Sequence, residues 1–187
     1  MKRSKLLKAR WVAALAVVGA AAALAQVAFA GPGRPAVPAA IDVPAGNKPY
    51  LVGHAVGVQI YSCKATVGGY AWTFVAPRAV LYNDMGKLLV THFTGPTWQA
   101  RDGSYVVGSV VDRASVNATA IPWLLLSASS TAKGYDGDRL AATTYIQRLA
   151  TTGGLAPAAG TCGAATVGHT EEVPYTADYY FWKATGR

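Results

Sequence analysis

The chain has 187 residues, of which 17 are Lys or Arg and 9 are Asp or Glu, giving a formal net charge of +8. Five of the basic residues lie in the first ten positions. The rest of the chain therefore holds twelve basic and nine acidic residues, a net charge of +3. Such a small charge excludes a strongly basic nucleic-acid-binding domain, whose Lys and Arg side chains would have to cover one folded face.

The first thirty residues have the three parts of a secretory signal peptide. A basic stretch over Met1–Arg10 is followed by an apolar run from Trp11 to Leu24 and by the small-x-small sequence Ala28-Phe29-Ala30. Cleavage after Ala30 predicts an exported protein of the periplasm or the extracellular space, with no stable membrane span. The alternative is an uncleaved anchor, because Trp11–Ala30 is long enough to cross a bilayer.

Five prolines stand in residues 31–49, which predicts a Pro-rich lead-in that is extended and partly mobile. A single β domain is expected over residues 50–187, since this length can bury a core of its own. Low charge is a sign of disorder only where apolar residues are scarce, and here they are abundant.

Short apolar stretches recur every 8–12 residues from Tyr50 onwards, with turn residues between them. This spacing predicts an all-β, single-domain antiparallel sandwich or barrel of eight to ten short strands. Tight turns are predicted at Gly68-Gly69, Asn83–Gly86 and Asp102-Gly103. The expected strands are Gly57–Cys63, Tyr70–Val75, Ala79–Tyr82, Lys87–Phe93, Trp98–Arg101, Ser104–Val111, Trp123–Ala128 and Tyr175–Trp182.

One further segment, Arg139–Leu149, has two interpretations. Asp138 could cap a helix, but the apolar residues do not form a full helical stripe. The β-branched and aromatic residues of Thr143-Thr144-Tyr145-Ile146 favour a strand, which is the interpretation we prefer.

Two cysteines, Cys63 and Cys162, follow the predicted signal peptide. An even number of cysteines in an exported chain favours a disulfide, here one that spans a long stretch of sequence. The alternative is a pair of buried free thiols. A metal site at these cysteines is disfavoured, because neither has a second cysteine or a histidine at the short spacing of zinc ligands.

Several phrases of the sequence resemble the domain-of-unknown-function family 3455, a family of exported bacterial and fungal proteins. The resemblance runs from about Ile41 to Trp182 and implies an extracytoplasmic β-rich domain without an established catalytic residue. The phrases that carry it are His92-Phe93-Thr94-Gly95-Pro96-Thr97-Trp98, Asp102-Gly103-Ser104, Ile121-Pro122-Trp123-Leu124-Leu125, Ile146-Gln147-Arg148-Leu149, Thr152-Gly153-Gly154 and Tyr175-Thr176-Ala177-Asp178-Tyr179.

No residue pattern predicts a cofactor or a metal. The sequence has no G-x-G-x-x-G after a strand, so no dinucleotide is expected. The three histidines His54, His92 and His169 could in principle bind a metal with Glu171 or Asp178, but their spacing does not favour it.

Catalysis is the alternative function. A small extracytoplasmic hydrolase could use His92, Ser104 and Asp102, but Asp102-Gly103-Ser104 is equally a hairpin turn and there is no Gly-x-Ser-x-Gly elbow. We therefore expect a non-catalytic binding or envelope-associated module with an aromatic-lined site. If the three side chains met in one cleft, the hydrolase would become the better hypothesis.

The expected ligand site lies around His92, Trp98 and Trp123, with Arg148 as an anion partner. Trp98 follows a Gly-Pro break and Trp123 follows Pro122, so both indoles could project from strand ends towards a glycan or another small molecule. The alternatives are that the Trp residues and His92 are core side chains and that Arg148 pairs with an Asp.

Overall fold

A computed structural model describes residues 31–186 of the chain. The predicted signal peptide and its cleavage site lie outside these residues. Eight β-strands account for most of the described chain, together with three single-turn 3₁₀ helices at Ala39–Ile41, Ala159–Thr161 and Ala164–Thr166. The strands are β1 (Asn47–Thr66), β2 (Gly69–Tyr82), β3 (Leu88–Phe93), β4 (Thr97–Ala100), β5 (Tyr105–Ala114), β6 (Trp123–Ala132), β7 (Thr143–Gly153) and β8 (Thr170–Ala184).

Each strand pairs with its neighbours in sequence, and all pairings are antiparallel. The first and last strands also pair, from Asn47 opposite Ala184 to Ser62 opposite Thr170, which closes the sheet into a barrel. The prediction of an all-β antiparallel domain is confirmed, and of its two architectures the barrel is the one formed. No helix within residues 31–186 is long and apolar enough to cross a membrane.

The three predicted turns all join paired strands. Gly68-Gly69 connects β1 to β2, the turn containing Gly86 connects β2 to β3, and the turn containing Gly103 connects β4 to β5. Gly86 and Gly103 have φ values of 71° and 84°, a left-handed conformation that a Cβ atom disfavours. The turn chemistry therefore located three of the seven strand connections.

Two of the predicted strands form one continuous strand in the structure. The two strands expected over Tyr70–Val75 and Ala79–Tyr82 form the single strand β2, which includes Pro77. Proline has no N–H for a ladder, so it is tolerated where a strand lacks a partner or is irregular. Pro77 meets both conditions, because β2 pairs with β3 only from Ala79 to Tyr82 and the β1–β2 register shifts nearby, between Ile60 and Tyr61.

The segment over Arg139–Leu149 is a strand in its second half, as preferred from sequence. Residues before Thr143 form turns, and β7 then runs to Gly153. The Leu140 N–H donates to Ser104 Oγ, and the Leu140 carbonyl accepts from both the N–H and the hydroxyl of Thr143. These hydrogen bonds stabilise a turn at this position, where a helix was the alternative.

The main hydrophobic core fills the barrel. Its fully buried members include Leu81, Val106, Ile146 and Phe181, which are contributed by strands around the whole circumference. Successive side chains of a strand point to opposite faces, so each strand supplies every second residue to this interior.

A second, smaller core lies on the outer face of β6, β7 and β8. Ile41 and Val43 of the segment before β1 pack there against Trp182 and are 0% and 1% exposed. Buried hydrogen bonds fix this contact: Gln147 donates to the Ile41 carbonyl, and the Trp182 indole donates to the Gln147 amide oxygen. The part of the Pro-rich segment nearest β1 is thus packed on the barrel, where the sequence suggested a partly mobile lead-in.

The predicted disulfide joins Cys63, near the end of β1, to Cys162 in the β7–β8 connection. The Cα atoms are 5.4 Å apart, and the two cysteines are separated by 99 positions in the sequence. The bridge ties the longest connection of the barrel to its first strand.

Strands β3 and β4 are shorter than their neighbours β2 and β5, so the barrel wall is incomplete on one side. Residues 69–78 of β2 extend past the end of β3 without pairing with it, and residues 109–114 of β5 extend past β4 in the same way. We call the gap between these two stretches the side notch. A cavity in the barrel interior lies beneath this notch.

Candidate functional site

A cavity of about 260 Å³ lies inside the barrel beneath the side notch. Its walls are mainly apolar, and its polar lining residues come from four different strands. Phe74 and Val75 of β2 and Val110 of β5, all exposed residues, stand at its rim. The polar or aromatic residues that line it deeper in the barrel are Gln59, His92, Trp98, Arg148 and Tyr179.

The cavity continues outwards into a second space of about 320 Å³. Gln59, Phe74 and Arg148 line both spaces, and the outer one is also lined by Arg113, an exposed residue of β5. The two together form one recess that runs from solvent into the barrel, which is the shape of a small-molecule site.

His92 and Trp98 face each other across the β3–β4 hairpin. The two rings are stacked, and the edge of Tyr179 meets both at centroid distances of 5.3 and 5.5 Å. His92 Nδ1 lies 2.9 Å from the Thr97 carbonyl oxygen, so Nδ1 carries a proton and donates it there. Burial lowers the pKa of His92 to about 3, which keeps the ring neutral at physiological pH.

Among residues 31–186, two buried donors on side chains that line the cavity have no hydrogen-bond partner. They are Trp98 Nε1 and Gln59 Nε2, on side chains that are 1% and 2% exposed. The Tyr175 hydroxyl lies near the Gln59 amide but outside hydrogen-bonding geometry. Buried donors are almost always paired in folded proteins, because an unpaired one loses its hydration without compensation. Each of these N–H groups therefore needs an acceptor that the described residues do not supply.

Arg148 places a positive charge beside these donors. Its Nε and Nη2 both donate to the Pro122 carbonyl oxygen, at 3.2 and 2.7 Å, which holds the guanidinium at the start of β6. No ion pair within residues 31–186 includes Arg148, so the Asp partner considered from the sequence is not found there. Burial raises the pKa of Tyr179, and the nearby Arg148 charge partly offsets that rise.

Three of the four residues predicted for the ligand site line this cavity: His92, Trp98 and Arg148. The fourth, Trp123, does not line it. Trp123 packs on the outer core beside Ile41 and Val43, because its position in β6 points away from the barrel interior. Trp98 is a core residue by burial, as the alternative interpretation has it, and its side chain also lines the cavity.

The alternative catalytic set is not assembled. Ser104 Oγ donates to Asp102 at 2.5 Å and accepts the N–H of Leu140, while Asp102 also accepts the N–H of Arg139. These bonds connect two turns at the end of the barrel away from the notch. His92, whose ring bonds to Thr97, forms no hydrogen bond with either residue, so the described residues contain no His92–Ser104–Asp102 triad.

The remaining histidines lie on the surface. His54 bridges two carboxylates, with Nδ1 2.7 Å from Asp178 and Nε2 2.8 Å from Asp84, and these hydrogen bonds raise its pKa. Within the stretch from residue 31 to 186, no group of three or more His, Cys, Asp or Glu side chains could hold a metal ion.

Of the five polar or aromatic residues deep in the cavity, sequence reasoning missed two, Gln59 and Tyr179. The alternation in β1 separated Val58 and Ile60 from Gln59 and Tyr61, and the polar pair is the one that faces inwards. A polar residue on the buried face of a strand is the signal that could have identified Gln59. Tyr179 was assigned to a strand, but the same alternation gave no sign of a cavity beside it.

The fold and the site define the class of the protein: an up-and-down, eight-stranded antiparallel barrel with a ligand-sized recess in its interior. The chain belongs to the family described as "Protein of unknown function (DUF3455)", which matches residues 44–183 and confirms the resemblance seen in the sequence. No curated protein and no solved structure matches the chain.

Proposed function

We propose that the protein is a non-catalytic binding module that holds a small molecule in the barrel cavity. The observation that carries this proposal is a pair of buried donors, Gln59 Nε2 and Trp98 Nε1, that have no partner within residues 31–186 and belong to side chains lining a recess open to solvent. Eight strands make a barrel whose interior is either filled by side chains or left with room for one small ligand. The cavity fits the second case.

The depth of the site favours a small molecule over a glycan chain. A sugar-binding platform needs an exposed aromatic face, whereas Trp98 is 1% exposed and is stacked on His92. The ligand would instead enter past Phe74 and Val110 and accept hydrogen bonds from the groups at the bottom of the cavity.

A metabolite and glycan screen, followed by intrinsic tryptophan fluorescence, tests the binding proposal. A ligand of the cavity should lose affinity in Trp98→Phe, which removes the indole N–H and keeps an aromatic ring. Trp123→Phe is the matched control and should bind normally, because Trp123 packs on the outer core. The proposal fails if the ligand's affinity depends on Trp123 and not on Trp98.

Export is a further part of the proposal. The basic, apolar and small-x-small parts of residues 1–30 support secretion to the periplasm or the extracellular space. The Cys63–Cys162 disulfide is consistent with this, since disulfides persist in oxidising compartments. Intact-mass measurement of the secreted protein should give the mass of a chain that begins at Gly31. A retained mass for residues 1–30 would argue for an uncleaved anchor.

A further inference from the structure

We propose that the ligand is a compact hydrophobic monocarboxylate, with its carboxylate on Arg148 and its apolar body against the cavity wall. This inference rests on the proposed binding function and specifies the chemistry of the ligand.

The single positive charge in the described cavity lining favours a ligand that carries a single negative charge. Arg148 is the one charged residue in the lining of the inner cavity as described, and no Asp, Glu or Lys lines that space. His92 adds no charge, since burial keeps it neutral. A neutral ligand would leave the guanidinium uncompensated, and a doubly charged one would bring more negative charge than a single Arg can balance.

The hydrogen bonds of Arg148 leave the correct edge free for a carboxylate. A guanidinium has five N–H groups, and the Pro122 carbonyl takes one from Nε and one from Nη2. The outer N–H of Nη2 and those of Nη1 form no further hydrogen bond within residues 31–186, although the Tyr179 hydroxyl lies close to the guanidinium. This edge can bind both oxygens of a carboxylate at once, as paired Arg and carboxylate groups do. Its orientation is already fixed by the bonds to Pro122.

The unpartnered donors point to the same ligand group. Gln59 Nε2 and Trp98 Nε1 can each give a hydrogen bond and, as donors, need an acceptor. A carboxylate offers about four lone-pair sites, enough for the guanidinium and for additional donors. An amine or an alcohol would satisfy fewer of these groups.

The apolar part of the wall sets the size and polarity of the rest of the ligand. Leu124, Leu126 and Val110 line the same space, together with the ring of Phe74. A cavity of about 150 Å³ is known to hold benzene. The inner cavity of about 260 Å³ therefore has room for a substituted six-membered ring, of roughly ten non-hydrogen atoms.

Arg113 gives the entrance the matching charge. It lines the outer part of the recess, is exposed, and lies on the same path as the rim residues of the notch. A second positive charge there would attract an anion towards the opening and raise its rate of association, an effect that salt weakens.

The test uses three probes of nearly equal shape: benzoate, benzamide and benzyl alcohol. Binding to the purified protein is measured by calorimetry and by the indole N–H resonance of Trp98, assigned with Trp98→Phe. We expect benzoate to bind roughly 10- to 100-fold tighter than either neutral probe. Arg148→Met should remove this preference, and Arg148→Lys, which keeps the charge but not the fork, should restore part of it.

Arg101→Met is the matched control, because Arg101 is an exposed arginine in the β4–β5 turn, away from the cavity. It should bind benzoate as the wild type does. Thermal unfolding of each variant shows whether it is folded before binding is compared.

Three results would overturn the carboxylate proposal: equal affinity for benzoate and benzamide, unchanged benzoate affinity in folded Arg148→Met, or no benzoate binding at millimolar concentration. None of them would by itself overturn the binding function, which fails only if the screened ligands show no dependence on Trp98. If the neutral probes bind at least as tightly as benzoate and shift the Trp98 resonance, the cavity is a binding site and the ligand is uncharged.

Discussion

The imidazole of His92 lies parallel to the indole of Trp98, with ring centroids 4.2 Å apart and planes inclined by 7°. The two residues are direct partners in the β3–β4 register, so the hairpin itself brings the rings together. One ring nitrogen of His92 is committed to the Thr97 carbonyl. The stacked pair thus forms a rigid, uncharged part of the cavity wall, and Arg148 supplies the charged part.

Stability should fall on acidification because of His92. The pKa of His92 is about 3 in the folded protein, against 6.5 for an unperturbed histidine, so the unfolded chain binds the proton first. The stabilising contribution is complete above pH 6.5 and is lost as the pH falls towards 3. The expected slope is about 1.4 kcal/mol per pH unit over this window.

Chemical unfolding of the wild type and of His92→Gln at a series of pH values measures this contribution. The difference between the two curves isolates His92 from the carboxylates that also titrate in acid. A difference that does not change between pH 6.5 and 4 would contradict the burial of a neutral imidazole.

His54 should act with the opposite sign. Hydrogen bonds to Asp178 and Asp84 raise its pKa, so the folded protein holds the proton more tightly than the unfolded chain. This contribution is present below the unfolded pKa of about 6.5 and disappears as the pH rises through the folded value. NMR titration of the His54 ring should give a pKa above 6.5 that falls in Asp178→Asn and, to a smaller extent, in Asp84→Asn. Equal pKa values in all three proteins would exclude the bridge in solution.

Gln59→Met should stabilise the protein while weakening ligand binding. The Gln59 amide nitrogen is buried without a partner, and an apolar side chain of similar shape removes that penalty, worth roughly 1–3 kcal/mol. Denaturant unfolding measures the gain, and calorimetry measures the loss of affinity for the cavity ligand. Ile60→Met, which changes a residue of the opposite face of β1, is the control and should leave ligand binding unchanged. A destabilised Gln59→Met would mean that the amide is satisfied in solution.

The disulfide should contribute about 4–5 kcal/mol to the free energy of unfolding. It closes a loop over a sequence separation of 99, and on the chain-entropy model the cost of closure to the unfolded state grows with loop length. The double variant Cys63→Ala/Cys162→Ala and the reduced wild type should both unfold at lower denaturant concentration. Thiol titration of the unreduced, unfolded wild type should detect no free thiol.

The local features of the fold were predictable, but its global closure was not. Turn residues such as Gly86 and Gly103 specify hairpins because their backbone angles depend on the turn alone. A sandwich and a barrel have the same local pattern of alternation and turns. The difference depends on whether β8 pairs with β1, a contact between strands at opposite ends of the chain.

The site was predictable in part for the same reason. Trp98 and Trp123 both follow a proline closely, so the sequence predicts the same orientation for both indoles. In the barrel, Trp98 points inwards and Trp123 outwards, and the outer face is covered by Ile41 and Val43 from a distant part of the chain. Which face of a strand is buried, and against what, is set by tertiary packing.

The pairing of β1 with β8 also has a consequence for how the protein folds. Every other strand pair is joined by a connection between neighbours, whereas this pair brings Asn47 against Ala184. Mean sequence separation between contacts is therefore high, and folding is expected on a millisecond-to-second timescale. Until the last strand docks, β1 has one unpaired edge on which other chains can assemble. When the chain is synthesised from its N-terminus, β1 is available long before the fifteen residues of β8. The edge of β1 therefore stays unpaired until the synthesis of β8 is complete.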